Sequence, residues 1–340
     1  MTNSQTKLKS TRAGFDEGLV LAGEKNERVV ALTADLKESV CMSAFAEKFP
    51  KRFIEVGVAE QNLAGVASGM AAMGKIPFIG SFAIFSPGRN WEQIRTTICY
   101  NNQPVKIVGS HAGLSASLDG GSHQMLEDIA LTRVLPNLIV LSPCDAIEAK
   151  KMTVAAAEID KPVYIRLSRA ETPIVTSEET PFEIGKAEIF LKKKRSDLST
   201  DLRFNLEDKE RSDLKKSEVG IITTGTMVHK ALAAAKELSE SGINVSVMNL
   251  STIKPLDEKA IIKLAKETGA IVTIEEHQIA GGMGSAVAEL LAQNYPVPME
   301  FVGVKNQFGQ TGTYEELLNF YGLNVLHIKQ AVRRVMKKKG

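Results

Sequence analysis

The sequence predicts an α/β protein built from two parallel-sheet domains, and three observations carry that prediction. Apolar runs of strand length recur through the first half, at 29–33, 53–58, 76–82, 105–110, 138–142 and 163–167, and several are nearly continuous in Val, Ile and Leu. Runs of this kind belong to strands covered on both faces, as in parallel sheets with helices on either side. The stretch 192–218 then breaks the alternation, opening on Lys192-Lys193-Lys194-Arg195 and continuing in mixed charge with few apolar residues. At residue 219 the alternation resumes.

Between the early strands lie helical patterns. Trp91, Ile94 and Ile98 share one face, and Leu126, Ile129 and Val134 approximate another. Pro143 followed by Asp145 opens a further helix, with Asp145 placed to accept the first free backbone N–H groups. The charged stretch reads as a solvated linker or insertion; a basic docking patch is the alternative. The second unit reads as strand 219–223, helix 227–241 stopped by Gly242, strand 245–250, helix 257–268 ended by Gly269, strand 270–275, helix 285–293 and strand 299–304. Thr313-Tyr314-Glu315-Glu316 reads as a capping box, and a basic helix closes the chain at 328–339. The division is thus residues 8–175 for the first domain, 176–218 for a charged linker, and 219–340 for a smaller second domain.

Composition narrows the function classes. A chain of 340 residues with 44% hydrophobic and 24% charged residues fits a globular protein with a large core. A net charge of +2 gives no reason to expect nucleic acid as the main partner. Cys41, Cys99 and Cys144 lie far apart with no paired spacing, which fits a reducing compartment and no zinc site. No apolar run approaches ~20 residues, so no membrane span is expected. Met1-Thr2-Asn3-Ser4-Gln5 does not resemble a signal peptide, and the expected location is cytoplasmic.

The densest chemical signal is Glu60. It stands where the apolar run 53–58 gives way to a helix of small residues, including Leu63, Ala64, Ala67 and Ala71. Burial there favours a protonated carboxyl suited to acid–base work. The alternative is a carboxylate serving the helix N-terminus. The segment 111–124 follows a strand at the edge where α/β sheets place ligands, and gathers His111, Asp119 and His123 in a Gly/Ser loop. It fits a hydroxylated, charged ligand, or a polar turn bonded to itself; the His spacing is not that of a metal finger. Phe82 and Phe85 end a strand and can hold a flat heteroaromatic ring or belong to the core. Arg12 and Arg169 offer phosphate forks or are plain surface arginines. Ala280-Gly281-Gly282-Met283-Gly284-Ser285 is a partial dinucleotide fingerprint, with Val287 in place of its third glycine. Glu275-Glu276-His277 before it is either catalytic or a structural hydrogen-bonding group.

Taken together, these segments resemble the C-terminal half of a transketolase, and above all the separate C-terminal subunit of a split, two-subunit transketolase. The resemblance is carried by Ala34-Asp35-Leu36, Val58-Ala59-Glu60-Gln61-Asn62, the run 81–85, His111 with Asp119-Gly120-Gly121-Ser122-His123-Gln124, and Leu167-Ser168-Arg169. In the second domain it rests on Glu275-Glu276-His277, the run 281–285 and Phe308-Gly309-Gln310-Thr311-Gly312. It implies a parallel-sheet domain that binds the pyrimidine of thiamine diphosphate, followed by a transketolase C-terminal α/β domain. Glu60 matches the glutamate that hydrogen-bonds the pyrimidine ring nitrogen and drives its imino tautomer. Phe85, with Phe82 nearby, matches the pyrimidine packing. His123 and Asp119 match groups facing the sugar hydroxyls, with His123 beside the reacting carbon. Arg12, Ser39, His111 and Arg169 match positions that hold the sugar phosphate.

The family's Gly-Asp-Gly diphosphate motif is absent from this chain. The resemblance therefore implies no metal ligands here. It implies instead a diphosphate-binding N-terminal partner subunit that holds Mg²⁺ or another divalent ion, an assembly with two copies of each subunit, and sugar phosphates as substrates. Leu118 stands where an acidic residue usual in the family would be, and Ser86-Pro87-Gly88 lacks a further aromatic. The rival thiamine enzymes of similar build are a deoxyxylulose phosphate synthase-like enzyme and a 2-oxoacid dehydrogenase beta subunit. From other classes, the rivals are a nicotinamide oxidoreductase on the Gly turn and a non-catalytic interaction subunit.

Overall fold

The computed structural model describes residues 7–191 and 218–339, so most of the expected charged linker, 192–217, lies outside the described residues. In the first domain, the strands lie in the spatial order Ile139–Leu141, Val163–Arg166, Lys106–Ser110, Ile76–Phe82, Val29–Thr33 and Phe53–Glu55, all parallel. The interiors of the central strands Val29–Thr33, Ile76–Phe82 and Lys106–Ser110 are buried, as the unbroken apolar runs require. Polar side chains therefore collect at the strand ends, and Thr33, Phe82, Ser110 and Arg166 terminate neighbouring strands at one edge of the sheet.

The seventh strand comes from elsewhere. Residues Thr252–Lys254, in the second domain, pair antiparallel with Ile139–Leu141 at the far side of the first sheet. Nothing in the sequence marked this exchange. The second domain is a five-stranded sheet in the order Met299–Val304, Ile271–Gln278, Val219–Thr223, Val245–Asn249 and Glu188–Leu191, with only the last strand antiparallel. The strand Glu188–Leu191 corrects the reading of 176–218 as wholly a linker: its backbone completes the second sheet.

Other boundaries move for local reasons. The strand expected at 53–58 covers only Phe53–Glu55, because Gly57 takes a left-handed φ of 71° and turns the chain away. It is also the edge strand, so it is half-exposed, and Val58 is 72% exposed. The helix expected to carry Leu126, Ile129 and Val134 spans Asp128–Arg133; Leu126 precedes it and Val134 lies in solvent. The expected caps are present: Asp145 and Asp257 accept from the N–H groups three residues on, and Thr313 and Glu316 form the capping box.

Helix Thr11–Lys25 packs along helix Ala146–Glu158. The approach is so close that a Cβ on Gly14 would collide with the Ala146 carbonyl, and one on Gly18 would press on Thr153. Arg12, at the start of the first helix, is thereby fixed beside the active edge of the sheet. Gly14→Ala is expected to cost about 1–3 kcal/mol through this clash. Thermal unfolding of the purified chain reads the loss, and an unchanged midpoint would show that the helices can separate freely.

Candidate active site

Strand register assembles the site. Phe82 pairs with Ser110 across neighbouring strands, so Phe82 stands beside His111. The two rings stack with centroids 3.8 Å apart and planes 20° apart. Phe85 lies on from Phe82, 5.9 Å away and within 10° of parallel. His123 meets both phenylalanines edge-on, at 5.6 Å from Phe85 and 6.4 Å from Phe82. The two aromatic residues and the two histidines read from sequence thus form one aromatic group at the sheet edge.

Glu60 is the first residue of helix Glu60–Ala72 and is only 3% exposed. The N-cap is Ala59 and no side chain caps this helix, so Glu60 does not cap it; as the acidic residue of the first turn it still faces the positive end of the helix dipole. Buried as expected, Glu60 nevertheless has a charged partner that the sequence reading did not assign to it. Arg89 Nη1 donates to Glu60 Oε2 at 2.8 Å, and the Arg89 guanidinium lies 4.5 Å from the centre of the Phe85 ring. Arg89 joins the carboxylate to the aromatic group, and sequence reading missed it. The available signal was its position four residues after Phe85 in a turn. Asn90 Nδ2 donates to the Glu60 backbone carbonyl and to Ser86 Oγ, tying that turn to the helix. Within Ser86-Pro87-Gly88, the stretch that lacks a further aromatic, a Cβ on Gly88 would collide with the Ile84 carbonyl, so that position has no room for a side chain.

The polar end of the site gathers the remaining predicted residues. Arg12 Nη1 donates to the Ser39 backbone carbonyl at 2.7 Å, and its Nε is buried with no hydrogen-bond partner. Arg169 approaches Asp119 Oδ2 at 3.4 Å, with both side chains partly in solvent. Leu118 is 67% exposed and turned away from the core. His111 takes a left-handed φ of 55°, uncommon for a residue with a side chain, and its Nδ1 lies 3.0 Å from Ser110 Oγ. Burial pushes its pKa down to about 3, helped by the positive charges of Arg12 and Arg169 and by His123. A neutral imidazole between two guanidinium groups can donate a hydrogen bond to an anion without adding a third charge to the cluster.

Residues Glu275, Glu276 and His277 prove structural, and the reason is burial between domains. Glu276 accepts from Leu114 N at 2.6 Å, Tyr314 Oη at 2.6 Å and Thr226 Oγ1 at 3.1 Å. Arg166 donates to the Glu276 carbonyl and to Asp128 Oδ2. His277 Nδ1 lies 2.7 Å from the Gln278 carbonyl, and Nε2 accepts from Ala130 N. The Gly turn is likewise no phosphate cradle. Met283 N and Gly284 N, the donors a phosphate would need, already serve the Glu275 carboxylate at 2.6 and 2.8 Å. That observation removes the nicotinamide oxidoreductase reading. From the second domain, the Gln310 carbonyl accepts from Gln124 Nε2, which bonds Ser117 as well. The loop bearing His111, Asp119 and His123 is therefore held by both domains. Among the described residues, no group of three or more His, Cys, Asp or Glu is placed to hold a metal ion.

Residues 7–175 match the family profile described as transketolase, pyrimidine binding domain, and residues 209–328 match transketolase, C-terminal domain. The chain belongs to the transketolase family. Membership implies use of thiamine diphosphate. A transketolase C-terminal section from Methanocaldococcus jannaschii is 41% identical, the match covering 97% of each chain. One of the chains of an apulose-4-phosphate transketolase from Phocaeicola vulgatus is 34% identical over 96% of this chain and 97% of its own. Among solved structures, a split gene transketolase described as an inactive beta4 tetramer superposes with a TM-score of 0.85 at 42% identity, covering 97% of this chain and 99% of that one. The Campylobacter jejuni transketolase shares the fold at a TM-score of 0.77 and 20% identity, this chain spanning 48% of it.

The depressed pKa of His111 has a measurable consequence. In the unfolded chain the imidazole titrates near 6.5, so below that pH the unfolded state binds a proton that the folded state refuses. The stability this group contributes is whole above about 6.5 and falls as pH drops towards about 3. His111→Asn removes that contribution. Denaturant melts at pH 7 and pH 5 should show the variant losing about 2 kcal/mol less than the natural chain between the two. Equal losses would place the imidazole in water.

Proposed function

We propose that this chain is the pyrimidine-binding subunit of a two-subunit transketolase, transferring a two-carbon ketol unit from a ketose phosphate to an aldose phosphate. The observation that carries the reading is the continuity of one edge of the sheet. It runs from the Glu60 carboxylate through Phe85 and Phe82 to His111 and the arginines flanking it. A buried carboxylate beside stacked aromatic faces fits an aminopyrimidine, and guanidinium groups around a neutral imidazole fit a phosphate.

The donor set fits thiamine diphosphate on its pyrimidine side only. When bound, that group supplies the stabilised carbanion equivalent that the transfer requires. Glu60 holds a proton at the pyrimidine ring nitrogen, and its burial keeps water from competing for that bond. Phe85, with Phe82 behind it, sets the plane of the ring. His123, edge-on to both, is placed for proton transfer at the sugar oxygen, and Asp119 accepts from sugar hydroxyls. Arg12, the Ser39 segment, His111 and Arg169 hold the substrate phosphate. The diphosphate and its divalent ion fall to an N-terminal partner subunit, with two copies of each chain in the assembly.

A ketol-transfer assay with xylulose 5-phosphate and ribose 5-phosphate tests this, comparing the chain alone with the chain plus a diphosphate-binding subunit, thiamine diphosphate and Mg²⁺. Activity is expected only in the mixture. Pyruvate as donor in the same mixture separates the synthase-like and dehydrogenase-like alternatives, and should give no product. Glu60→Gln should lower turnover by roughly two orders of magnitude or more with assembly intact. Normal turnover in that variant would sink the assignment. Arg169→Ala should raise KM for the phosphorylated substrate about tenfold while kcat changes less; a fall in kcat alone would move Arg169 out of the phosphate site.

A further inference from the structure

Arg89 makes the two contacts that the proposed function reserves for the pyrimidine ring. Its Nη1 is 2.8 Å from Glu60 Oε2, and its guanidinium lies over the Phe85 ring at 4.5 Å. A guanidinium is planar, donates through several N–H groups and stacks on aromatic faces. An aminopyrimidine shares each of those properties. A pyrimidine seated on the same face of Phe85 and bonded at Glu60 Oε2 would require the guanidinium to leave both contacts.

The surroundings favour exchange over a fixed role. The backbone of the turn is held in place: Ser86 N donates to the Phe82 carbonyl, Gly88 N to the Ala83 carbonyl and Arg89 N to the Phe85 carbonyl. Asn90 adds the bond to the Glu60 carbonyl. The Arg89 side chain, by contrast, is 50% exposed, with open water to swing into, while Glu60 is 3% exposed and cannot follow it. The ion pair gives the buried carboxylate a counter-charge that water cannot supply there.

Resting on the proposed function, we infer that Arg89 is a resident competitor for the pyrimidine site. It pairs with Glu60 and covers Phe85 in the chain without cofactor, and swings into solvent as the pyrimidine takes over both contacts. Occupation of the site by Arg89 lowers the apparent affinity for the cofactor by the fraction of molecules in the closed arrangement. It also keeps the carboxylate compensated until the ring arrives.

The test is calorimetric titration of thiamine diphosphate, with Mg²⁺ present, into the chain assembled with its diphosphate-binding partner. Arg89→Met, which keeps bulk but removes charge and plane, should bind roughly fivefold tighter than the natural chain. Arg89→Lys, which keeps the charge without the planar fork, should fall between them. In the chain alone, Arg89→Met should lower the melting temperature, because Glu60 is left unpaired, and Glu60→Gln in the same background should restore it. Binding by Arg89→Met that is equal to or weaker than the natural chain, alongside weakened binding by Glu60→Gln and Phe85→Ala, would overturn the competitor role and leave the site standing. Unchanged binding by Glu60→Gln and Phe85→Ala would overturn the site and the competitor together.

Discussion

The Arg166 guanidinium, buried at the end of a central strand, is the side-chain contact that ties the two domains at the sheet edge. It donates to Asp128 Oδ2 at 2.8 Å and to the Glu276 carbonyl at 2.7 Å, while Tyr164 Oη donates to the same Asp128 oxygen. A charge taken out of water at this depth is tolerated only when every donor has a partner, and breaking such a pair costs about 3–5 kcal/mol. The second domain supplies one of those partners. Separating the domains would break the Arg166 bond to the Glu276 carbonyl, while the Arg166–Asp128 ion pair lies within the first domain. The strand Thr252–Lys254, lent to the first sheet, reinforces the same junction through backbone bonds.

That junction reaches the site through one residue. The Glu276 carboxylate, on the same residue as the carbonyl bound by Arg166, accepts from Leu114 N, within the loop that carries His111, Asp119 and His123. Burial raises the pKa of Glu276, while Arg166 and the donors of Tyr314, Leu114 and Thr226 offset it. The second domain thus acts on the chemistry as a scaffold: it fixes the backbone from which the phosphate and sugar groups project. On the far side of the site, the turn bearing Arg89 and Asn90 gives Glu60 its counter-charge and fixes its helix. The site is held from two directions by polar contacts, and at the Glu60 end the Arg89 side chain opens to solvent.

Much of the fold was legible because its signals are local. Unbroken apolar runs marked the parallel strands, and Asp145, Asp257 and Thr313 marked helix starts through their own short-range hydrogen bonds. The run 53–58 was overextended because its apolar residues look alike whether a strand is central or at the edge; only Gly57 and the sheet order separate the cases. Val134 shares its residue type with a core position but faces water. In the site, the stack of His111, Phe82 and Phe85 follows from residues that the sequence singled out. The role of Glu275-Glu276-His277 did not, since a catalytic triplet and a buried hydrogen-bonding triplet have the same composition.

The sequence by itself determined most of the elements, their order and the family whose motifs it carries, because each depends on neighbours within a few positions or on a motif read in one stretch; the strands Glu188–Leu191 and Thr252–Lys254, defined by pairing with distant strands, are the exceptions. Tertiary structure alone decided how charges pair. Glu60 meets Arg89 across 29 residues, and Glu276 meets Leu114 across 162. Those separations are closed by strand register and domain packing, which set the position of every side chain at the sheet edge. A carboxylate whose surroundings are fixed that way has no readable charge partner in the chain until the sheet has formed.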